Sequence, residues 1–194
     1  MSKVVEVKEQ LKTPWFGLNN LISQLTEQQK KFIADSLNKP KKLQLLFRAS
    51  EHQFKVKAFH EHCDGIADTF VIARTDFGKT IAGFTRLKWD STSKWVYGEA
   101  KGTFLLQVDL LQKMSHRKGY VIGCFADCGP VFGTDFQIYD NCNTDKNYAN
   151  FPSNYNVDDP YEYSQCEETY RAFTGAADYK NFRIVEYEVF GVTF

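Results

Sequence analysis

Three of the chain's four histidines, one of its five cysteines and an aspartate fall between His52 and Asp64, in the stretch LLFRASEHQFKVKAFHEHCDG. His60-x-His62-Cys63 has the donor types of a zinc site, but zinc takes about four converging ligands, commonly as two separated pairs. No second C-x₂-C or H-x₃-H pair lies nearby, and His116 stands alone. A Cys63–His60 couple would need an activated thiolate, and no nucleophile elbow or oxyanion donor accompanies it. A helix accounts for the same residues. Ser50-Glu51-His52-Gln53 has capping-box spacing, Phe54, Ala58 and Phe59 share a face, and Gly65 stands at a helix stop. His60 and His62 then lie in the last turn, where the helix dipole favours positive charge. The expectation is a structural helix without metal, and no cofactor.

The other chemistry-bearing spacings are weaker. Cys124 and Cys128 form C-x₃-C where redox and metal pairs use C-x-x-C. Cys63, Cys124 and Cys128 are the candidate redox-sensitive thiols. Asp140-Asn-Cys-Asn-Thr-Asp fails as a calcium loop, because position 6 is Asp145 and position 12 is Phe151. Gly129-Pro-Val-Phe-Gly133 has no G-K-[ST] and is not a phosphate loop. It reads either as a tight β-turn or as a recognition edge presenting an exposed Phe132.

Positioning these residues requires a mostly β framework. Leu18, Leu21, Ile22 and Leu25 make one helical stripe, and Thr26-Glu-Gln-Gln29 predicts a capping box opening a helix with Phe32, Ile33 and Leu37 inward. Asn38 and Pro40 end it. Strands are predicted at KLQLLF, at the hairpin 69–87 turned by Asp76-Phe-Gly78, at 103–108, 120–126 and 136–140, and at FRIVEYEVFGV. In the last, Val185, Tyr187 and Val189 alternate with Glu186 and Glu188, the pattern of a half-buried strand with one solvated side. Residues 140–181 read as loop. Six or seven strands without intervening long helices predict an α+β, mainly β chain: a two-sheet antiparallel β-sandwich flanked by a few helices. Residues 1–42 are the arm and helical lead-in, and 43–194 the domain.

The bulk numbers exclude several classes. With 24 basic and 24 acidic residues among 194, the chain has no electrostatic footprint for nucleic acid. No apolar run reaches membrane-span length. The first ten residues carry no apolar h-region, the five cysteines have no framework spacing and no N-x-S/T sequon occurs. These point to a reducing, cytoplasmic setting.

The order LLFRASEHQF, FHEHCDG, GKTIAGFTRLKWDS, CGPVFG, IYDNCNT and FRIVEYEVF, from about Leu43 to Phe194, resembles the TLDc domain family. The helical pair at 18–37 resembles that family's lead-in. Two local departures are Ile81-Ala82-Gly83, where family members often carry Phe-Gly-Gly, and Thr134 after Gly133, where glycines often continue. The resemblance implies two antiparallel sheets with flanking helices. It also implies oxidative-stress protection and binding to the peripheral sector of a vacuolar-type proton-pumping ATPase; family members are suspected of enzymatic activity, but the residues here offer no catalytic constellation, and the expectation is a chain that is not an enzyme. The expected partner contacts are Trp89, Asp127, Gly129, Phe132 and Gly133. The alternatives are a docking piece of a cytoskeletal or ciliary assembly, using an arm that includes Trp15 and Phe16, and a thiol-based antioxidant.

Overall fold

The computed structural model describes residues 20–99, 102–157 and 164–194. The proposed arm lies outside them. The predicted capping box forms. Thr26 Oγ1 accepts the Gln29 N–H at 3.2 Å, and Gln29 Oε1 accepts the Thr26 N–H at 3.0 Å, opening helix α1, Glu27–Ser36. A single 3₁₀ turn, Ile22–Gln24, precedes it. The chain reverses through left-handed Asn38 and Lys39 and enters β1, Lys42–Arg48.

Among the described residues, eleven strands build two antiparallel sheets. After β1 come β2 (Thr69–Thr75), β3 (Thr80–Thr85), β4 (Lys94–Tyr97), β5 (Phe104–Gln107), β6 (Gln112–His116) and β7 (Tyr120–Cys124). Then come β8 (Cys128–Phe132), β9 (Phe136–Tyr139), β10 (Tyr155–Val157) and β11 (Ile184–Thr193). The larger sheet runs β1-β11-β2-β3-β5-β6-β10 and the smaller β4-β7-β8-β9. Between the sheets lies one core, with Val71, Leu105, Val121, Phe132 and Tyr187 among its members. The outer face of the larger sheet forms a second core, where Phe70, Ile72, Leu106 and Phe190 meet Leu21, Ile22, Ile33 and Leu37. Both alternating sets of β2 are therefore buried, because the lead-in covers what would otherwise be the wet face.

The same cover corrects the reading of β11. A register shift between Ile184 and Glu186 turns Val185 outward, 45% exposed, while Glu188 is 1% exposed. Its carboxylate accepts Arg48 Nε–H at 2.7 Å and the Leu21 N–H at 2.9 Å, so one acid fastens the lead-in to the sheet. Burial pushes this carboxyl up, and Arg48 and the Leu21 amide oppose that. Removing one partner of a buried pair leaves an uncompensated charge. Arg48→Ala should therefore cost about 3 kcal/mol in a denaturant titration, whereas Arg171→Ala, at the exposed Arg171–Glu167 pair, should cost under about 0.5 kcal/mol.

Three further expectations are corrected. The Ser50–Gln53 capping box does not form. Ala49–His52 is a 3₁₀ turn, and left-handed Gln53 and Phe54 break the chain. Helix α2 starts only at Val56 and runs to Cys63, its first N–H capped by Asp140 Oδ1 at 2.9 Å. Residues 140–181 also hold β10 and a helix α3, Glu167–Phe173. Finally, 129–133 is not a turn between strands. It lies largely within β8, with a pairing irregularity between Cys128 and Val131 around Pro130, which has no N–H to donate.

Candidate partner-binding surface

The histidine cluster is a fastening. His60 Nδ1 lies 2.8 Å from Asp64 Oδ1, and its Nε2 lies 3.0 Å from the carbonyl oxygens of both Phe125 and Cys128. Ser91 Oγ–H donates to Asp64 Oδ2 at 2.7 Å. Serine, carboxylate and imidazole are all present, but the carboxylate stands in the middle. A hydrolytic triad needs the imidazole there, with a nitrogen facing the hydroxyl. Here both ring nitrogens are occupied, and the network instead ties the end of α2 to the β7–β8 loop. His62 Nδ1 lies 2.8 Å from the carbonyl oxygen of Ala58, and His52 stacks on Phe47 at 5.1 Å. Among the described residues no three His, Cys, Asp or Glu side chains converge as metal ligands.

The surroundings of Cys63, Cys124 and Cys128 do not favour redox sensitivity. All three are buried. Burial pushes Cys63 and Cys128 up to about 12 and raises Cys124, and a buried neutral thiol is a poor nucleophile. The buried Cys142 is also pushed up to about 12 by burial. The thiol that sequence reasoning missed is Cys166, exposed just before α3 and lowered chiefly by its hydrogen bond with the Thr169 hydroxyl, at 3.4 Å. Its place next to Glu167-Glu168 with Thr169 three residues on is the available signal. Iodoacetamide at pH 7.5 should label Cys166 in the native protein, the four buried thiols following at least roughly a hundredfold more slowly, as peptide mass mapping would show.

The five expected contacts occupy two kinds of position. Asp127 is exposed. Trp89 and Phe132 are 1% and 0% exposed, which corrects the expectation of an exposed Phe132. Strand β8 runs between β7 and β9, and the Phe132 side chain belongs to the core between the sheets. The two rings meet edge to face at 5.6 Å, and Trp89 Nε1–H donates to Thr69 Oγ1 at 2.9 Å. Gly129 and Gly133 are buried as well. Gly83, the glycine kept in Ile81-Ala82-Gly83, has a packing reason, since a Cβ there would stand 2.5 Å from Phe132 Cζ. At Gly133 φ is +52°, and a Cβ would lie 2.6 Å from Asn154 Oδ1.

The β4–β7 pair and the loop after it carry an aromatic surface. Phe125, two residues before Asp127, meets Trp95 edge-on at 4.9 Å, Trp95 stacks on Tyr120 at 4.6 Å, and Tyr97 meets Tyr120 at 5.8 Å. Tyr97 is 75% exposed and Tyr120 37%, an apolar island of the kind that marks contact surfaces. Beside it a cleft of about 460 Å³ opens between the β5–β6 hairpin and the β4–β7 pair, lined by Tyr97, Glu99, Lys113, Arg117 and Lys118 among others. Its β6–β7 wall is held by Asn154, whose carbonyl accepts the Arg117 N–H at 2.8 Å and whose Nδ2–H donates to the Lys118 carbonyl at 3.2 Å. Asn154 and its neighbours are in turn fixed by buried Asp135, which accepts the N–H groups of Ser153, Asn154 and Tyr155 at 2.6, 2.7 and 3.2 Å.

The family model described as the TLDc domain matches residues 19–193, lead-in and sandwich together. A comparison with curated proteins finds no match.

Proposed function

The chain belongs to the TLDc domain family, and from that premise we propose that it is a non-enzymatic regulatory binding module that engages the peripheral sector of a vacuolar-type proton-pumping ATPase in the cytoplasm and serves oxidative-stress resistance. The observation that carries this reading is the family match across 19–193. The chemistry of the described residues is compatible with it. The Ser91–Asp64–His60 cluster is wired as a clamp, and four of the five thiols are buried. No helix among the described residues is long and apolar enough to cross a membrane.

In this reading Asp127 touches the partner directly. Trp89, Gly129, Phe132 and Gly133 act from behind, by fixing β8 and the loop that carries Asp127. The test is affinity capture from eukaryotic lysate with quantitative mass spectrometry. Wild-type chain should recover peripheral-sector subunits, and Asp127→Arg, at an exposed position, should reduce the yield severalfold without shifting the melting temperature. Recovery of no pump subunit by the wild type would overturn the reading.

A further inference from the structure

The three contacts of the His60 ring share one property: each of the atoms that face its nitrogens is an acceptor. Nδ1 lies 2.8 Å from Asp64 Oδ1, and Nε2 lies 3.0 Å from the carbonyl oxygens of Phe125 and Cys128. A neutral imidazole carries one N–H and one bare lone pair, whereas an imidazolium carries two N–H groups. The closed network therefore has a donor for each side only when the ring holds its second proton. Two local features agree. Ser91 Oγ–H donates to the other Asp64 oxygen at 2.7 Å, which suits an ionised carboxylate. The ring also sits in the last turn of α2, where the helix dipole favours a cation.

The two sides of the ring differ in reach. Asp64 is four residues away at the same helix end, while Phe125 and Cys128 are 65 and 68 residues away. Phe125 opens the loop that presents Asp127 and Cys128 closes it. The Phe125 carbonyl also accepts the Cys128 N–H at 3.1 Å, so this turn is one unit held to α2 by the ring. The His60 side chain is only 11% exposed, so water gives little relief to a lone pair turned on two carbonyl oxygens. We propose that His60 is a proton-dependent latch: the doubly protonated ring holds the β7–β8 loop against the end of α2, and loss of one ring proton releases it. Closing takes up a proton, so the latch is shut on the acid side and loosens as pH rises. Among the described residues Asp64 is the charged group in contact with the ring. Of the groups on the elements around it, Asp90 pairs with Lys94 at 3.5 Å and Lys57 with Glu61 at 3.7 Å. Asp127 Oδ1 accepts the Cys128 thiol at 3.7 Å. Burial raises the thiols of Cys63, Cys124 and Cys128 and the Tyr139 hydroxyl, which stay neutral. The proposal rests on the reading of Asp127 as a partner contact and adds a regulation to it, since a loop already fixed costs less to bind than a mobile one.

Nitrogen-15 NMR of the full chain reads both halves of this latch across a pH series. Imidazole signals count the protons on His60, and relaxation of the Ala126 and Asp127 amides reports the order of the loop. Both His60 nitrogens should carry protons on the acid side, and the two amides should lose order along the His60 titration curve as pH rises. Asp64→Asn separates the latch from a general loosening. The asparagine can offer Nδ2–H to His60 Nδ1 and keep Oδ1 for Ser91, so a neutral ring protonated on Nε2 fills every contact. In that variant the loop should stay ordered throughout. A wild-type loop that keeps its order while His60 loses a proton would overturn the proposal, as would a closed loop with one ring proton at every pH. So would a loss of order in Asp64→Asn equal to that of the wild type. Lysate capture at matched pH should fall severalfold as the wild-type ring loses its proton and hold steady for Asp64→Asn; an equal fall in both would overturn the coupling to binding. If the loop follows the ring as described while capture yields no pump subunits at any pH, the ATPase reading falls and the latch stands.

Discussion

Phe132→Ala is expected to destabilise the fold by about 3–5 kcal/mol, one of the largest losses any single truncation should cause in this chain. The ring is 0% exposed, meets Trp89 at 5.6 Å and Tyr155 at 6.5 Å, and lies against Gly83. Deleting it removes the apolar area it buries and leaves a cavity that two sheets cannot close without moving. Domains of this size have only about 5–15 kcal/mol in hand, so the variant sits near the edge of folding. Guanidinium denaturation measures the loss directly. The converse substitution, Gly83→Ala, should cost about 1–3 kcal/mol by overpacking the same contact. The consequence for function is practical. Weak partner capture by Phe132→Ala would report a smaller folded fraction, so the informative variants are at Asp127 and Tyr97.

Asp135→Asn should cost about 1–3 kcal/mol at acid pH, the cost of leaving a buried donor unsatisfied. The wild-type carboxyl accepts three backbone N–H groups on its two oxygens. A protonated carboxyl can still accept on its hydroxyl oxygen, whereas the amide nitrogen accepts nothing and turns its own N–H toward a backbone N–H. The effect has a pH signature. Burial pushes the Asp135 carboxyl up to about 7, against the pull of those three N–H groups, while an unfolded aspartate titrates near about 4. A raised folded value means that the native state holds the proton longer than the unfolded chain does. Stability from this group is therefore complete below about pH 4 and is lost as pH rises through about 7, with a slope of up to ~1.4 kcal/mol per pH unit. The asparagine variant lacks the group. Its stability deficit relative to wild type should close between about pH 4 and 7 and, since the wild type loses up to about 4 kcal/mol over that window, reverse in sign before levelling above about pH 7, as parallel urea titrations would show.

Much of this architecture was legible where the relevant interactions are local. The Thr26–Gln29 box spans three residues and formed as written. The β2–β3 turn needed only Gly78, whose φ is +77°. The order of motifs pointed to the family and to two antiparallel sheets. What stayed hidden depends on distant partners. Val56 is capped by Asp140, 84 residues away, so no nearby residue could reveal where α2 begins. Strands β4, β8 and β10 have four, five and three residues, too few to display a period, and β8 carries a proline that argues against a strand. Glu188 looked solvent-facing because it alternates with apolar neighbours, and only the lead-in packed across the sheet turns that face into a core.

The candidate surface was half legible for the same reason. Asp127, in the loop between β7 and β8, is exposed, as a contact residue has to be. Phe132 was read as exposed from the glycines at its sides, but a side chain's direction is set by which sheet its strand joins. The aromatic island went unseen because Trp95, Tyr97, Tyr120 and Phe125 come from β4, β7 and the loop after β7, and only the β4–β7 pairing assembles them.

The measurement that bears most directly on the central claim uses purified components. The intact chain is mixed at micromolar concentration with the isolated peripheral sector of a eukaryotic vacuolar-type ATPase and resolved by size-exclusion chromatography with mass photometry. The account predicts a complex of one chain per sector that Asp127→Arg weakens. Separate elution of the two components, with the chain fully folded, would contradict it.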